Sequence, residues 1–118
     1  MIKSLDGIVL IVKDIEKQKK FYRDILGLKI ESDYGSAIFF RIGKQKLALF
    51  TKEHHPEGTK SLEGAKKGIS HLEFGISKED YVKIKEKLKK HGFQAYQDNY
   101  KDADGNLFHF NIDDKIIF

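Results

Sequence analysis

The sequence of 118 residues predicts an α+β fold made of two βαβββ modules. Apolar runs with the period-two alternation of strands are interrupted twice by segments with the 3.6-residue period of an amphipathic helix. This order occurs in residues 1–51 and again in residues 69–118. Residues 52–68, which hold the only proline and several glycines, are typical of a linker. We therefore expect one domain with strands curving around a shared cavity.

The first module is predicted to begin with the apolar strand 8–12. Asp14 is a suitable N-cap for the helix that follows, and Gly27 is a suitable end for it. One side of this helix carries Ile15, Gln18, Tyr22, Ile25 and Leu26. Three further strands, divided by glycine-containing turns, are predicted at residues 28–31, 37–42 and 47–51.

The second module repeats this order from the strand 71–76. Ser77 begins a segment that resembles a capping box, and the helix after it buries Tyr81, Ile84 and Leu88. His91-Gly92 ends the helix. Later strands are predicted at residues 93–97, 107–112 and 115–118, with a loop at 102–106.

Composition excludes several classes of function. The absence of cysteine excludes disulfides, thiolate zinc sites and a cysteine nucleophile. The net charge of +4 comes largely from lysines interleaved with glutamates on the two helices, which favours solvated helix faces over a nucleic-acid surface. No apolar run reaches membrane length, and the N-terminus lacks the apolar stretch of a signal peptide. We expect a cytoplasmic protein that binds neither nucleic acid nor membrane.

The two halves can be aligned with one another at offsets that differ by only a few residues. The paired positions are Gly7 with His71, Gly27 with Gly92, and Ala48 with His109. Small differences of this kind are what changes in loop length produce. The alignment indicates an internal duplication. Each repeated unit is too small to bury one face of its sheet by itself.

Both ends of the chain resemble the vicinal oxygen chelate superfamily, which includes glyoxalase I, bleomycin-resistance proteins, fosfomycin-resistance enzymes and extradiol dioxygenases. The motifs are the first apolar strand, Lys13-Asp14-Ile15-Glu16, Phe21-Tyr22-Arg23-Asp24, Leu26-Gly27-Leu28, and DADGNLFHF at 102–110. The last of these is similar to the stretch that precedes the final metal-ligand strand of the family. The resemblance implies the fold but not one function, because the superfamily contains isomerases, transferases, dioxygenases and binding proteins.

The resemblance also implies where metal ligands would lie: at Gly7, Ala48, His71 and His109. Glycine and alanine side chains cannot coordinate a metal, so the first module has lost both of its ligands. This implies either no metal or one weakly held divalent ion, such as Zn, Ni, Mn or Fe. Members without these ligands, such as the bleomycin-resistance proteins, bind a small molecule, usually as dimers. We therefore expect a homodimer with a degenerate metal site that binds a small organic molecule.

Glu73 supports an alternative function. It follows His71 by two residues and so lies on the same strand face, and His109 should point inward from a nearby strand. Two histidines and a carboxylate are similar in kind to non-haem iron sites, which favours a metal-dependent lyase or dioxygenase with Glu73 as a catalytic residue. The same groups also suit metal-free acid/base chemistry or purely structural hydrogen bonding. A histidine, Lys46 or Arg41 is the expected partner of Glu73.

Further candidates lie outside this trio. Phe39, Arg41 and Phe50 share the parity expected for the cavity, which predicts a partly aromatic substrate-binding surface. His54-His55 lies beside Pro56 in the predicted linker, where solvent exposure is the usual state. His91 suits a cation at a helix C-terminus. Neither the histidine pair nor His91 is predicted to belong to the site.

Overall fold

In the computed structural model, residues 1–64 and 69–112 are described. The chain divides into two compact units, Met1–Ala65 and Lys66–Phe118, each with its own mixed sheet. The predicted α+β class is confirmed. Within the described ranges, no helix is both long enough and apolar enough to cross a membrane.

The first unit contains a four-stranded sheet covered by one helix. Its elements are β1 (Gly7–Val12), α1 (Ile15–Lys20), which continues as a π-helix over Phe21–Ile25, β2 (Lys29–Asp33), β3 (Ala37–Ile42) and β4 (Gln45–Thr51). The strand order is β1-β4-β3-β2, with β1 parallel to β4 and the other pairs antiparallel. This is the predicted order of strand, helix and three strands.

The helix of the first unit begins and ends where the sequence predicts. The Asp14 carboxylate accepts a hydrogen bond of 3.1 Å from the backbone N–H of Lys17. Gly27 follows the helix with φ of 74°, a conformation that glycine adopts without steric cost. Tyr22 packs against Phe40 with 6.0 Å between ring centroids, and both rings are fully buried. Burial of each such ring stabilises the unit by about 1.5–3 kcal/mol.

The predicted linker contains a short helix that the sequence pattern does not reveal. This helix, α2, spans Pro56–Ser61. His55 caps it, because Nδ1 of the imidazole accepts a hydrogen bond of 2.8 Å from the N–H of Gly58. Proline is compatible with the first helical turn, where its missing N–H would have no partner. The proline therefore begins a helix here instead of marking unstructured chain.

The second unit contains a three-stranded sheet and the longest helix of the described residues. Its elements are β5 (Leu72–Ile76), α3 (Lys78–Lys90), β6 (Tyr100–Lys101) and β7 (Leu107–Ile112). Strand β7 lies between β5, to which it is parallel, and β6, to which it is antiparallel. Ser77 caps α3 by accepting from the N–H of Asp80 at 3.1 Å, and Leu88 is the fully buried residue of the helix.

The prediction of a strand at residues 93–97 is wrong. Tyr96 and Asn99 form an isolated bridge around a tight turn in which Gln97 and Asp98 have φ of 50° and 68°. Two successive positive φ values turn the chain too sharply for an extended strand. Strand β6 pairs only with Leu107 and Phe108, so residues 109–112 of β7 have no strand beside them on that edge in the described chain. The strand predicted at 115–118 lies outside the described residues.

Candidate metal centre

Strands β5 and β7 bring the predicted polar residues of the second module onto one face. The parallel register pairs Glu73 with His109 and Gly75 with Asn111. His71 immediately precedes β5, on the same face as Glu73. The opposite face carries phenylalanines that pack on one another and on Tyr81 of α3: Phe74, Phe108 and Phe110. The strand alternation thus separates an aromatic core from a polar face.

Three side chains converge on this polar face. Nε2 of His71 lies 2.9 Å from Oε2 of Glu73, and Nε2 of His109 lies 3.3 Å from Oε1 of the same carboxylate. The two imidazole centroids are 4.6 Å apart. One nitrogen or oxygen atom from each residue lies within 4.8 Å of those of the other two. Among the described residues, His71, Glu73 and His109 form the group of histidine and carboxylate side chains that could hold a metal ion.

Two neighbours that the sequence did not suggest hold the trio in place. Nδ2 of Asn111 donates a hydrogen bond of 2.9 Å to Oε1 of Glu73. Oγ of Ser70 lies 3.0 Å from Nδ1 of His71. A bond at Nδ1 orients the ring and leaves Nε2 available to a ligand. Asn111 follows His109 by two residues, so strand parity was the signal that could have identified it.

The carboxylate of Glu73 is held in its ionised form. Its pKa is lowered to about 2, first by the hydrogen bond from Asn111 and then by the bond with His71, with burial acting in the opposite direction. A carboxyl group with so low a pKa is a weak proton acceptor near neutral pH. Glu73 therefore suits the role of a permanent anionic ligand better than that of an acid/base group.

The donor set fits a divalent transition-metal ion. Metal–nitrogen and metal–oxygen bonds of about 2.0–2.2 Å place neighbouring donors roughly 3–4 Å apart. The contacts of Glu73 with His71 and His109, at 2.9 and 3.3 Å, are close to that separation, and all three donors lie within 4.8 Å of one another. Two imidazoles and one carboxylate suit Zn, Fe, Mn or Ni and leave further coordination positions for water or a small molecule. The set lies wholly within the second unit.

Gly7 and Ala48, the two further ligand positions that the family resemblance implies, lie in the first unit. Ala48 is 2% exposed and lies in β4. At Gly7, in β1, a Cβ atom would lie 2.8 Å from the backbone oxygen of Lys46, on the strand paired with it. A Cβ carbon and an oxygen atom cannot approach that closely unless the backbone shifts, so glycine at this position also has a packing role.

Replacing Gly7 with alanine or histidine is expected to destabilise the protein by about 1–3 kcal/mol, because the added Cβ pushes β1 away from β4. Gly75→Ala is the matched control, since a Cβ there meets no atom within 4 Å. Urea unfolding followed by circular dichroism measures both variants. A Gly7→His variant as stable as the wild type would show that β1 accommodates a ligand at this position.

The predicted substrate-binding residues lie in the first unit with partners of their own. The rings of Phe39 and Phe50 are 5.7 Å apart, and Nη2 of Arg41 pairs with Oε1 of Glu31 at 2.8 Å. Nζ of Lys46 lies 5.9 Å from the centroid of Phe39. The sequence predicts a histidine, Lys46 or Arg41 as the partner of Glu73. In the second unit, Glu73 contacts His71 and His109. The substrate-binding role of Phe39, Arg41 and Phe50 stays a prediction.

The other histidines have structural contacts. His54 lies against Phe50 at 4.6 Å between centroids, and its Nδ1 is 2.9 Å from Oγ of Ser36. His55 caps α2, and His91 is the C-cap residue of α3. Among the described residues, none of these three histidines belongs to the group that could hold a metal ion.

A cavity of about 610 Å³ borders the trio. It lies at the unpaired edge of β7, next to the turn Gln97–Asn99, and Tyr81 and Tyr100 form part of its wall. Burial, together with a hydrogen bond to Tyr81, raises the pKa of Tyr100 to about 12. The phenol of Tyr100 is therefore neutral at physiological pH and can donate a hydrogen bond.

Comparison with known proteins identifies related sequences and folds. A family model described as the Glyoxalase/Bleomycin resistance protein/Dioxygenase superfamily matches residues 4–110. A glutathione transferase FosA from Serratia marcescens is 22% identical over 93% of this chain and 74% of its own length. A metallothiol transferase FosB from Staphylococcus haemolyticus is 33% identical over 69% of this chain, which spans only 55% of that relative.

A solved structure shows the same fold. The fosfomycin resistance protein FosX from Listeria monocytogenes, as an E126Q mutant complexed with Mn(II) and 1S,2S-dihydroxypropylphosphonic acid, superposes with a TM-score of 0.68. The two chains are 24% identical, and the superposition covers 94% of this chain and 90% of the other.

Proposed function

This chain belongs to the Glyoxalase/Bleomycin resistance protein/Dioxygenase superfamily, and from that premise we propose that it is a metal-dependent protein acting on a small oxygen-bearing molecule. One divalent ion would be held by His71, Glu73 and His109. The observation that carries the proposal is the convergence of three donor atoms within 4.8 Å on one sheet face.

The named relatives support a metal. The FosB relative is called a metallothiol transferase, and the FosX structure is a complex with Mn(II). In this chain, glycine and alanine occupy both first-module ligand positions that the family resemblance implies. Glu73 supplies the anionic donor that two imidazoles alone would lack, so the centre would be displaced entirely into the second unit.

Each side chain has a definite part in this proposal. When bound, the ion would polarise an oxygen atom of a small molecule as a Lewis acid, which is the chemistry that a metal-dependent lyase requires. Glu73 offsets part of the positive charge, and Asn111 holds its carboxylate in place. Ser70 orients the ring of His71. The cavity beside the trio provides a place for the molecule acted on.

A second candidate function is binding of a small organic molecule without a metal. It is favoured by the contact of Glu73 with both histidines at 2.9 and 3.3 Å, which satisfies the three side chains in the absence of an ion. Such a network can also bind the polar groups of a ligand. Metal content separates the two functions.

Protein purified without an affinity tag is expected to contain one equivalent of a divalent metal, or to bind one equivalent of Mn(II) after treatment with a chelator. His71→Ala should weaken Mn(II) binding by about 100-fold or more. Mutation of a residue that only orients a metal ligand lowers metal affinity by about 10–100-fold, and removal of the ligand itself should have a larger effect. His91→Ala, at the exposed end of α3, is the control and should bind like the wild type.

Elemental analysis and isothermal titration calorimetry measure these quantities. A protein that neither retains a metal nor binds Mn(II), Zn(II), Ni(II) or Fe(II) would overturn the metal-dependent function. Thermal stabilisation of that metal-free protein by an organic ligand would instead support the second candidate.

A further inference from the structure

The cavity beside the candidate centre is unsuited to an anion. Its carboxylates come from Glu73 and Asp98, and neither lysine nor arginine lines it in the described part of the chain. Glu73 would offset part of the charge of a divalent ion at the trio, because imidazole ligands are neutral, and Asp98 adds a second negative charge to the cavity lining. Phosphonate and phosphate groups are usually recognised by arginine or lysine. Among the described lining residues, a dianion would meet no cationic side chain, only a metal whose charge Glu73 already offsets in part.

Asn111 offers the cavity a hydrogen-bond acceptor. Its amide nitrogen donates to Glu73, which fixes the orientation of the side chain. Its carbonyl oxygen has no hydrogen-bond partner among the described residues. A half-buried acceptor next to a metal centre is well placed to accept from a hydroxyl group of a ligand.

Gly75 is not itself among the residues that line the cavity, but it leaves open space beside Asn111, which is. The two residues are paired in the register of β5 and β7, and Gly75 follows Glu73 on the same face. A Cβ atom at Gly75 would meet no atom within 4 Å. The backbone torsion of Gly75 lies outside the region that requires glycine, so a side chain here is excluded neither by strain nor by contacts.

We infer that the ligand of this site is an uncharged, hydroxyl-bearing molecule that lies over Gly75 beside Asn111. The inference rests on the proposed function, since it concerns the same centre. It separates this chain from the FosX relative, whose structure contains a dihydroxypropylphosphonic acid. The acceptor of Asn111 and the lack of lysine and arginine among the described lining residues favour this class of molecule, and the open space at Gly75 offers it a position.

Two probes that differ in charge test the inference. One is 1,2-dihydroxypropylphosphonic acid, and the other is its neutral dimethyl ester; both are titrated calorimetrically into the full chain loaded with Mn(II). We expect the ester to bind at least tenfold more tightly than the acid. Equal or tighter binding of the acid, or binding of neither probe at millimolar concentration, would overturn the inference.

A side chain at Gly75 tests the position of the ligand. Gly75→Val is expected to weaken binding of the ester at least tenfold while Mn(II) affinity stays within twofold of the wild type. Ile76→Val, on the opposite face of the same strand, is the control and should change neither affinity. Unchanged ester binding by Gly75→Val would place the ligand elsewhere. Loss of Mn(II) together with the ester would show that the substitution acts on the metal centre, which contradicts a position that only the ligand occupies.

The two proposals fail in different ways. Absence of Mn(II) binding in the wild type would overturn the metal-dependent function and, with it, the inference. Mn(II) binding together with tighter binding of the acid than of the ester would support the metal centre and overturn only the inferred ligand class.

Discussion

Replacing Glu73 with glutamine is expected to abolish high-affinity binding of divalent metal by the second unit. The amide has nearly the shape of the carboxylate but carries no negative charge, so the centre keeps two imidazoles and loses its anionic donor. Affinity for Mn(II) should fall by about 100-fold or more. Stability should change little, because the side chain is 36% exposed. Calorimetric titration of the chelator-treated protein measures the affinity.

A second substitution and a control make this result interpretable. Glu73→Ala should lose metal in the same way, which excludes an effect specific to the amide beside Asn111. Glu79→Gln removes an exposed carboxylate from the first turn of α3, and its affinity should equal that of the wild type. Metal binding that survives both changes at Glu73 would mean that the ion is held by other residues.

Glu73 is more important in this chain than its partial exposure indicates. Two neutral imidazoles alone bind a divalent ion weakly, and a side chain at Gly7, a ligand position that the family resemblance implies, would require β1 to shift from Lys46. The carboxylate remains ionised far below neutral pH because Asn111 and His71 stabilise its charge. Glycine and alanine at the first-module positions and a carboxylate at Glu73 are thus consistent with the proposed metal centre in the second unit.

Sequence periodicity predicted much of the fold because most elements satisfy local rules. The strand predicted at 37–42 has those bounds in the structure, and Ser77 caps α3 as expected. The tight turn at Gln97 and Asp98 was not predicted, because glutamine rarely adopts positive φ and a single aspartate is a weak turn signal without a glycine beside it. Helix α2 was missed because its cap is an imidazole, which is not among the common N-cap side chains.

The candidate site was predictable where strand parity determines it. Alternation placed His71 and Glu73 on one face, and the duplication placed His109 nearby, as the structure has them. The support from Asn111 and Ser70 depends on side-chain rotamers, which periodicity does not specify. The role of the trio, the ligand-binding role of Phe39, Arg41 and Phe50, and the homodimer stay predictions.

The second large effect is expected at Asp102, in the loop that precedes β7. Its carboxylate is 4% exposed and accepts three hydrogen bonds of 2.9 Å, from the backbone N–H groups of Asp104 and Asn106 and from Nδ2 of Asn106. Asp102→Ala would leave these donors without their acceptor. We expect a loss of about 3 kcal/mol in the free energy of unfolding, measured with urea.

Controls at other acidic residues separate this effect from a change of net charge. Glu86→Ala removes an exposed carboxylate from the middle of α3 and should cost less than about 0.5 kcal/mol. Asp102→Asn keeps one acceptor oxygen and should fall between the two. Because the loop ends where β7 begins, Asp102→Ala should also weaken Mn(II) binding through displacement of His109. A stable Asp102→Ala variant with normal metal affinity would show that β7 and its histidine are positioned by the sheet pairing alone.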